Sequence, residues 1–231
     1  MIKDNLDLVR RNIENACKRA KRDPTSVRVM AVSKGVSLEA IDEARSSGLS
    51  YFGENRVQEA REKKEIGVFN GVELALIGHL QTNKASMAAR IFDEVQSVDT
   101  IRVAEILSKF SRKYKETDLP VYVQVNSGLD PNKYGCKPEE AFEIASAITQ
   151  LPGLRLIGLM TVAPLSDETD SARRAFKGLR ILRDFLSDRG IPENCLKELS
   201  MGMSSDYEIA IEEGSTVIRL GTAIFGPRTY K

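Results

Sequence analysis

The chain predicts an α/β fold of the (β/α)8 barrel type, and three observations carry that prediction. Short apolar runs alternate with segments of helical periodicity eight times along the sequence. Several runs, notably Val27 to Val32 and Leu154 to Leu159, are almost continuously apolar, as strands are when helices cover one side and a barrel interior the other. No run is followed by the Gly-x-Gly-x-x-Gly turn of dinucleotide-binding sheets, which counts against the alternative topology, an open doubly wound sheet.

The elements follow in order. Ile2, Leu6, Val9, Ile13, Ala16/Cys17 and Ala20 recur every three to four residues, an amphipathic helix that stops near Asp23-Pro24 and precedes the first strand. Val27 to Val32 is strand 1, followed by a helix over Leu38 to Ser47 that Gly48 closes. Strands at Ser50 to Phe52, Leu74 to Ile77 and Glu94 to Val98 lead to helices from about Arg56, Lys84 and Ile101. Pro120 opens strand 5, Val121 to Val125, with helix Glu139 to Thr149 after it. Leu154 to Leu159 precedes the long helix Ala172 to Ser187. Lys197 to Leu199 leads to helix Asp206 to Glu212, and Thr216 to Leu220 to a short tail. The extra N-terminal helix is expected to supply the cover that this tail does not. No low-complexity linker interrupts the pattern, so residues 1–231 read as one domain.

Composition narrows the function classes. With 42% hydrophobic residues, the chain buries a full core without staples, and three scattered cysteines form neither a disulfide framework nor a zinc site. Lys plus Arg (34) nearly balances Asp plus Glu (33), so no global field holds the chain on nucleic acid or an anionic membrane. The first residues lack a signal-peptide core, and no apolar run is long enough to span a bilayer, so a soluble, cytoplasmic protein is expected. The single histidine, His79, removes multi-histidine metal sites.

In a barrel, residues just past the strands share one mouth, so groups distant in sequence converge there. Lys34 follows strand 1; Glu54 and Asn55 follow strand 2; His79 and Asp99 follow strands 3 and 4. Lys133 and Tyr134 lie beyond strand 5, Met160 and Thr161 beyond strand 6, Ser200, Ser204 and Ser205 beyond strand 7, and Arg219, Gly221 and Thr222 at the end of strand 8. Ser200 to Asp206 and Arg219 to Thr222 combine glycine, hydroxyls and helix starts. Each alone suits a helix cap and a tight turn; after strands 7 and 8 together they describe a barrel's phosphate cradle.

Lys34 is either a surface lysine at the end of its strand or packs its stem there with its amine toward the mouth, where desolvation favours the neutral, carbonyl-attacking form. An aldehyde-bearing phosphate such as pyridoxal 5'-phosphate (PLP) fits both ends of this arrangement. Arg219 then either reaches the cofactor ring or serves as an ion-pair residue at the barrel end. A permanently charged arginine donates to an unprotonated pyridine nitrogen and leaves the ring a weak electron sink. For His79 a structural hydrogen-bonding role and a place in the mouth both stand, and Glu54 and Asn55 either orient the lysine or ring or cap the following helix.

These residues resemble the pyridoxal phosphate homeostasis proteins, also described as PLP-binding barrel proteins. The likeness runs through Ala31-Val32-Ser33-Lys34, Phe52 to Glu59, Ile77 to Lys84, Ser97-Val98-Asp99, Val123 to Asn126, Lys133-Tyr134-Gly135, Gly158-Leu159-Met160, Leu199 to Asp206 and Arg219 to Gly226. The resemblance implies an alanine-racemase-like barrel with PLP held as a Schiff base on Lys34. It further implies phosphate at Ser200, Gly202, Gly221 and Thr222, Arg219 facing the pyridine nitrogen, and Asn55 and Met160 beside the cofactor. It departs at Glu73-Leu74-Ala75-Leu76 and at Gly128 to Asn132, which bear on the width of the mouth.

The function expected is a non-enzymatic PLP carrier, monomeric, acting in vitamin B6 and amino-acid homeostasis. Amino acids and PLP-dependent apo-enzymes are its expected transient partners. The alternative is a PLP-dependent amino-acid racemase, against which stand the lack of a second base and of chain beyond Gly226 for a covering domain. A third reading is a phosphate-ligand binder in which Lys34 forms no covalent bond.

Overall fold

Eight parallel strands close on themselves in sequential order in the computed structural model, which describes residues 1–164 and 169–227. The strands are β1 (Arg28–Val32), β2 (Tyr51–Glu54), β3 (Glu73–Leu76), β4 (Glu94–Val98), β5 (Leu119–Gln124), β6 (Leu154–Met160), β7 (Glu198–Ser200) and β8 (Val217–Leu220). Between and around them run α1 (Ile2–Ala20), α2 (Leu38–Ser46), α3 (Val57–Glu65), α4 (Ala85–Ile91), α5 (Ile101–Tyr114), α6 (Ala141–Gln150), α7 (Thr169–Asp188), α8 (Tyr207–Glu212) and α9 (Thr222–Phe225). The pairing of β1 with β8, Ala31 opposite Leu220, completes the barrel. No helix among the described residues is long and apolar enough to cross a membrane.

The helices bury apolar stripes against the barrel or against one another. In α1 the stripe anticipated from its spacing, Ile2, Leu6, Val9, Ile13, Ala16 and Cys17, is the buried face. This helix packs against α8 and α9, where Asn5 Nδ2 donates to the Ile224 carbonyl (2.9 Å) and Asn12 Nδ2 to Tyr207 Oη (2.9 Å). It supplies cover that the four-residue α9 is too short to give.

Strand ends differ from the sequence reading by a residue or two, and the difference has a cause. Apolar content marks where a strand is buried, whereas its end is set by where ladder hydrogen bonds stop. Glu54 pairs with Leu76, and Gln124, Met160 and Ser200 lie side by side across β5, β6 and β7. Glu54, Met160 and Ser200 are therefore the last residues of their strands rather than loop residues.

Candidate functional site

Side-chain parity along the strands builds the site. Alternate residues of a strand face the barrel interior. Met30 of β1 lies in a small interior cluster with Tyr51, Ala75 and Val217. Val32 and Lys34, two and four residues on, share that side, and both line one cavity at the C-terminal mouth. Lys34 is half-buried and occupies the corner of a tight turn, in which Val36 N donates to the Ser33 carbonyl (3.1 Å). Gly35 supplies the left-handed backbone (φ 64°) that the turn requires.

From β8 the same parity sends Val217 and then Arg219 inward. Arg219 is 3% exposed, and its guanidinium donates from Nη1 to Ser200 Oγ (2.7 Å) and from Nη2 to the Thr161 carbonyl (2.6 Å). Burial lowers its pKa to about 10, against the pull of Asp206, so it remains cationic at neutral pH. The β1–β8 register brings the segment after Ala31, with Lys34, alongside the segment after Leu220, Gly221-Thr222. The resulting cavity, about 560 Å³, is lined among others by Lys34, Asn55, Lys133, Ser204, Arg219, Gly221 and Thr222. That volume suits a small cofactor.

The loop after β7 forms the wall next to the Gly221-Thr222 turn. Ser204 Oγ accepts from Gly221 N (3.2 Å) and Ala223 N (3.1 Å), so two backbone donors converge on one hydroxyl oxygen at the cavity edge. Asp206 staples the loop by accepting from Met203 N at 2.6 Å. Gly202 serves packing: with φ 96°, a Cβ there would lie 2.5 Å from Ala210 Cβ and 3.0 Å from Tyr207 Cα, both on α8.

Of the eight residues singled out from the sequence, Lys34, Asn55, Arg219, Gly221 and Thr222 line the cavity together. Met160, Ser200 and Gly202 lie behind its surface, Met160 and Ser200 with no exposed area. The Ser200 hydroxyl is turned inward, donating to Gln96 Oε1 (2.7 Å) while accepting from Arg219. Ser204, four residues on, stands at the wall instead. Glu54 caps no helix; it is fully buried and bonded by Ser33 and Lys63. Burial raises its pKa against the pull of Lys63. His79 stacks on Tyr134 at 4.2 Å, with Nδ1 3.4 Å from Asp99, and so ties three loops of the mouth together outside the cavity lining.

One feature was missed: a polar file through the barrel axis. Tyr51 Oη donates to Glu94 Oε1 (2.5 Å), Gln96 Nε2 donates to the same oxygen (2.7 Å), and Gln96 passes through Ser200 to Arg219. Burial raises the Glu94 pKa to about 7. The signal was present in β4, where Glu94 and Gln96 alternate on one face of a strand buried throughout. Among the described residues no group of three or more metal-ligating side chains forms. An amine, a buried cation and converging backbone donors in one cavity suit an anionic ligand that carries a carbonyl group.

The family model for the N-terminal domain of alanine racemase matches residues 5–229. A pyridoxal phosphate homeostasis protein of Haemophilus influenzae is 38% identical over 231 residues, covering 99% of this chain and 97% of that one. The structure of PipY from Synechococcus elongatus PCC7942 with PLP bound superposes with a TM-score of 0.84 at 35% identity, covering 98% of this chain and all of that one. An alanine racemase of Clostridium difficile 630 shares the fold at a TM-score of 0.75 and 16% identity, and this chain spans 57% of its length. Likeness along the whole chain, in sequence and in the path of the barrel, means that the protein belongs to the pyridoxal phosphate homeostasis family, built on the alanine-racemase N-terminal barrel.

Proposed function

We propose that the protein binds PLP at the barrel mouth, covalently and reversibly on Lys34, and acts as a carrier of the cofactor rather than as an enzyme. The observation that carries this reading is the single cavity shared by Lys34, Arg219 and Gly221-Thr222. The residues fit the group: Asn55 lines the same cavity and its buried Oδ1 has no hydrogen-bond partner within the protein, an acceptor left for a ligand. When bound, PLP supplies an aldehyde that condenses reversibly with a primary amine. Lys34 offers that amine; Ser204, Gly221 and Thr222 form the anion end; Met160, Ser200 and Gly202 support the wall from behind. Arg219, cationic at neutral pH, would serve as the donor toward the ring nitrogen, and a permanently charged donor there would disfavour carbanion chemistry.

In this reading the protein works as a cytoplasmic monomer in vitamin B6 and amino-acid homeostasis. Release needs only a competing amine, from an amino acid or from the lysine of an apo-enzyme in transient contact. Borohydride reduction of the PLP-saturated protein, followed by peptide mass analysis, tests the assignment. The adduct is expected on Lys34 and lost, with the visible absorption band, in Lys34→Ala. No adduct, or one on another residue, overturns the covalent assignment. Sustained conversion of L- to D-alanine above that of free PLP overturns the carrier reading in favour of a racemase.

A further inference from the structure

Both peptide groups that flank Lys34 are gripped by side chains of one helix, α3. Lys63, 8% exposed, donates from Nζ at 2.7 Å to each of three acceptors: the Ser33 carbonyl, Glu54 Oε1 and Glu59 Oε1. All three ammonium hydrogens are thus committed. Glu54 Oε1 also accepts from Ser33 Oγ (2.7 Å), and Glu59 Oε1 accepts from Gly35 N (2.7 Å). Ser33 is held by carbonyl and hydroxyl, Gly35 by its N–H, and Lys34 lies between them.

Stability alone is a poor reason for this arrangement. Burying an ammonium and a carboxylate carries a desolvation penalty, and well-packed apolar residues of similar volume are often as stable or more so. What ions add is direction, because charge-assisted bonds fix the distance and angle of the atoms they join. Parity sends the Lys34 side chain toward the cavity, and the bonds from Lys63 and Glu59 act on the turn that carries it.

We propose that Lys63, Glu54 and Glu59 form a positioning clamp that fixes the Lys34 peptide and, through it, the aim of the Lys34 amine into the cofactor cavity. The inference rests on the reading that Lys34 is the cofactor lysine. Lys63 touches neither cavity nor ligand; it acts through the turn.

The test compares Lys63→Met, Glu59→Ala and Glu59→Gln in the full-length protein. Two ligands are used: PLP, whose linkage to Lys34 is followed by its visible band, and pyridoxamine 5'-phosphate, which has no aldehyde and reads the pocket alone. Lys63→Met and Glu59→Ala are expected to slow PLP linkage at least about tenfold, as small misplacements of a reacting group do. Binding of pyridoxamine 5'-phosphate stays unchanged. Glu59→Gln, which keeps an oxygen for Gly35 N, restores the rate. Unaltered PLP linkage in Glu59→Ala overturns the clamp, as does an equal loss of both ligands, which marks a merely structural role. Should Lys63→Met fail to fold, the half-exposed Glu59 pair decides. A missing Lys34 adduct in the unaltered protein fails the functional reading itself; an adduct with unaffected clamp variants fails only this inference.

Discussion

Replacing Gly202 by alanine isolates the packing that sets the cavity wall, because the structure offers a matched control. Gly202 and Gly190 share φ 96°, yet a Cβ at Gly190 meets nothing within 4 Å, whereas one at Gly202 meets Ala210 Cβ at 2.5 Å and Tyr207 Cα at 3.0 Å. The left-handed backbone costs an L-residue about 1–2 kcal/mol at either position. Only Gly202 adds the cost of overpacking, about 1–3 kcal/mol where the neighbours are backbone and a helix-borne methyl. Gly202→Ala is thus expected to destabilise by about 2–5 kcal/mol and Gly190→Ala by about 1–2 kcal/mol. Equilibrium unfolding of the PLP-free protein in guanidinium chloride, followed by far-UV circular dichroism, measures both. The Gly202 carbonyl accepts from Arg219 N (2.9 Å), so pushing α8 away also moves the strand that carries Arg219. PLP retention should therefore fall in Gly202→Ala and hold in Gly190→Ala. Coincident midpoints for the two variants would refute the argument that α8 packs against Gly202 too closely for a side chain.

Two further outcomes follow from buried titratable groups. Burial raises the Glu94 carboxyl from 4.5 to about 7, so the folded state binds a proton that the unfolded state has lost between those values. Stability attributable to this group is highest below pH 4.5, falls as pH rises, and is lower by about 3 kcal/mol above pH 7. Glu94→Gln should flatten that slope and raise stability at pH 8; an unchanged denaturation profile across the range would contradict it. Thiol chemistry gives the second: Cys17 and Cys136 are buried, with burial pushing Cys136 up to about 12, while Cys195 is partly exposed. Ellman's reagent should modify Cys195 alone in the native protein and all three thiols after denaturation. Rapid labelling of Cys136 in the native state would show that the connection between β5 and α6 opens.

The barrel was legible because its signals are local. Apolar runs of strand length alternate with helical stripes, and each repeats the same burial problem, so counting units gave the topology and counting from strand 1 gave the shared mouth. Lys34, Asn55, Arg219, Gly221 and Thr222 could be placed at one rim this way. Ser200 could not be placed as well. Its position beside glycines and hydroxyls resembled a phosphate turn, but one more residue of ladder pairing keeps it in β7, facing inward beneath Arg219. Lys63 reads in the sequence as one more solvated charge in a polar helix, since nothing local reveals that Glu54 and the Ser33 carbonyl await it.

By itself, the sequence determined which elements form, in what order, and which loops meet at one end. The tertiary structure decided which way each polar side chain at those ends points and what it touches. The reason is physical: periodicity is a property of neighbours along the chain, whereas strand register and helix docking fix the partners of Ser200, Gln96 and Lys63 across 104 and 30 residues of sequence. Those contacts exist only once strands and helices apart in the sequence have packed together.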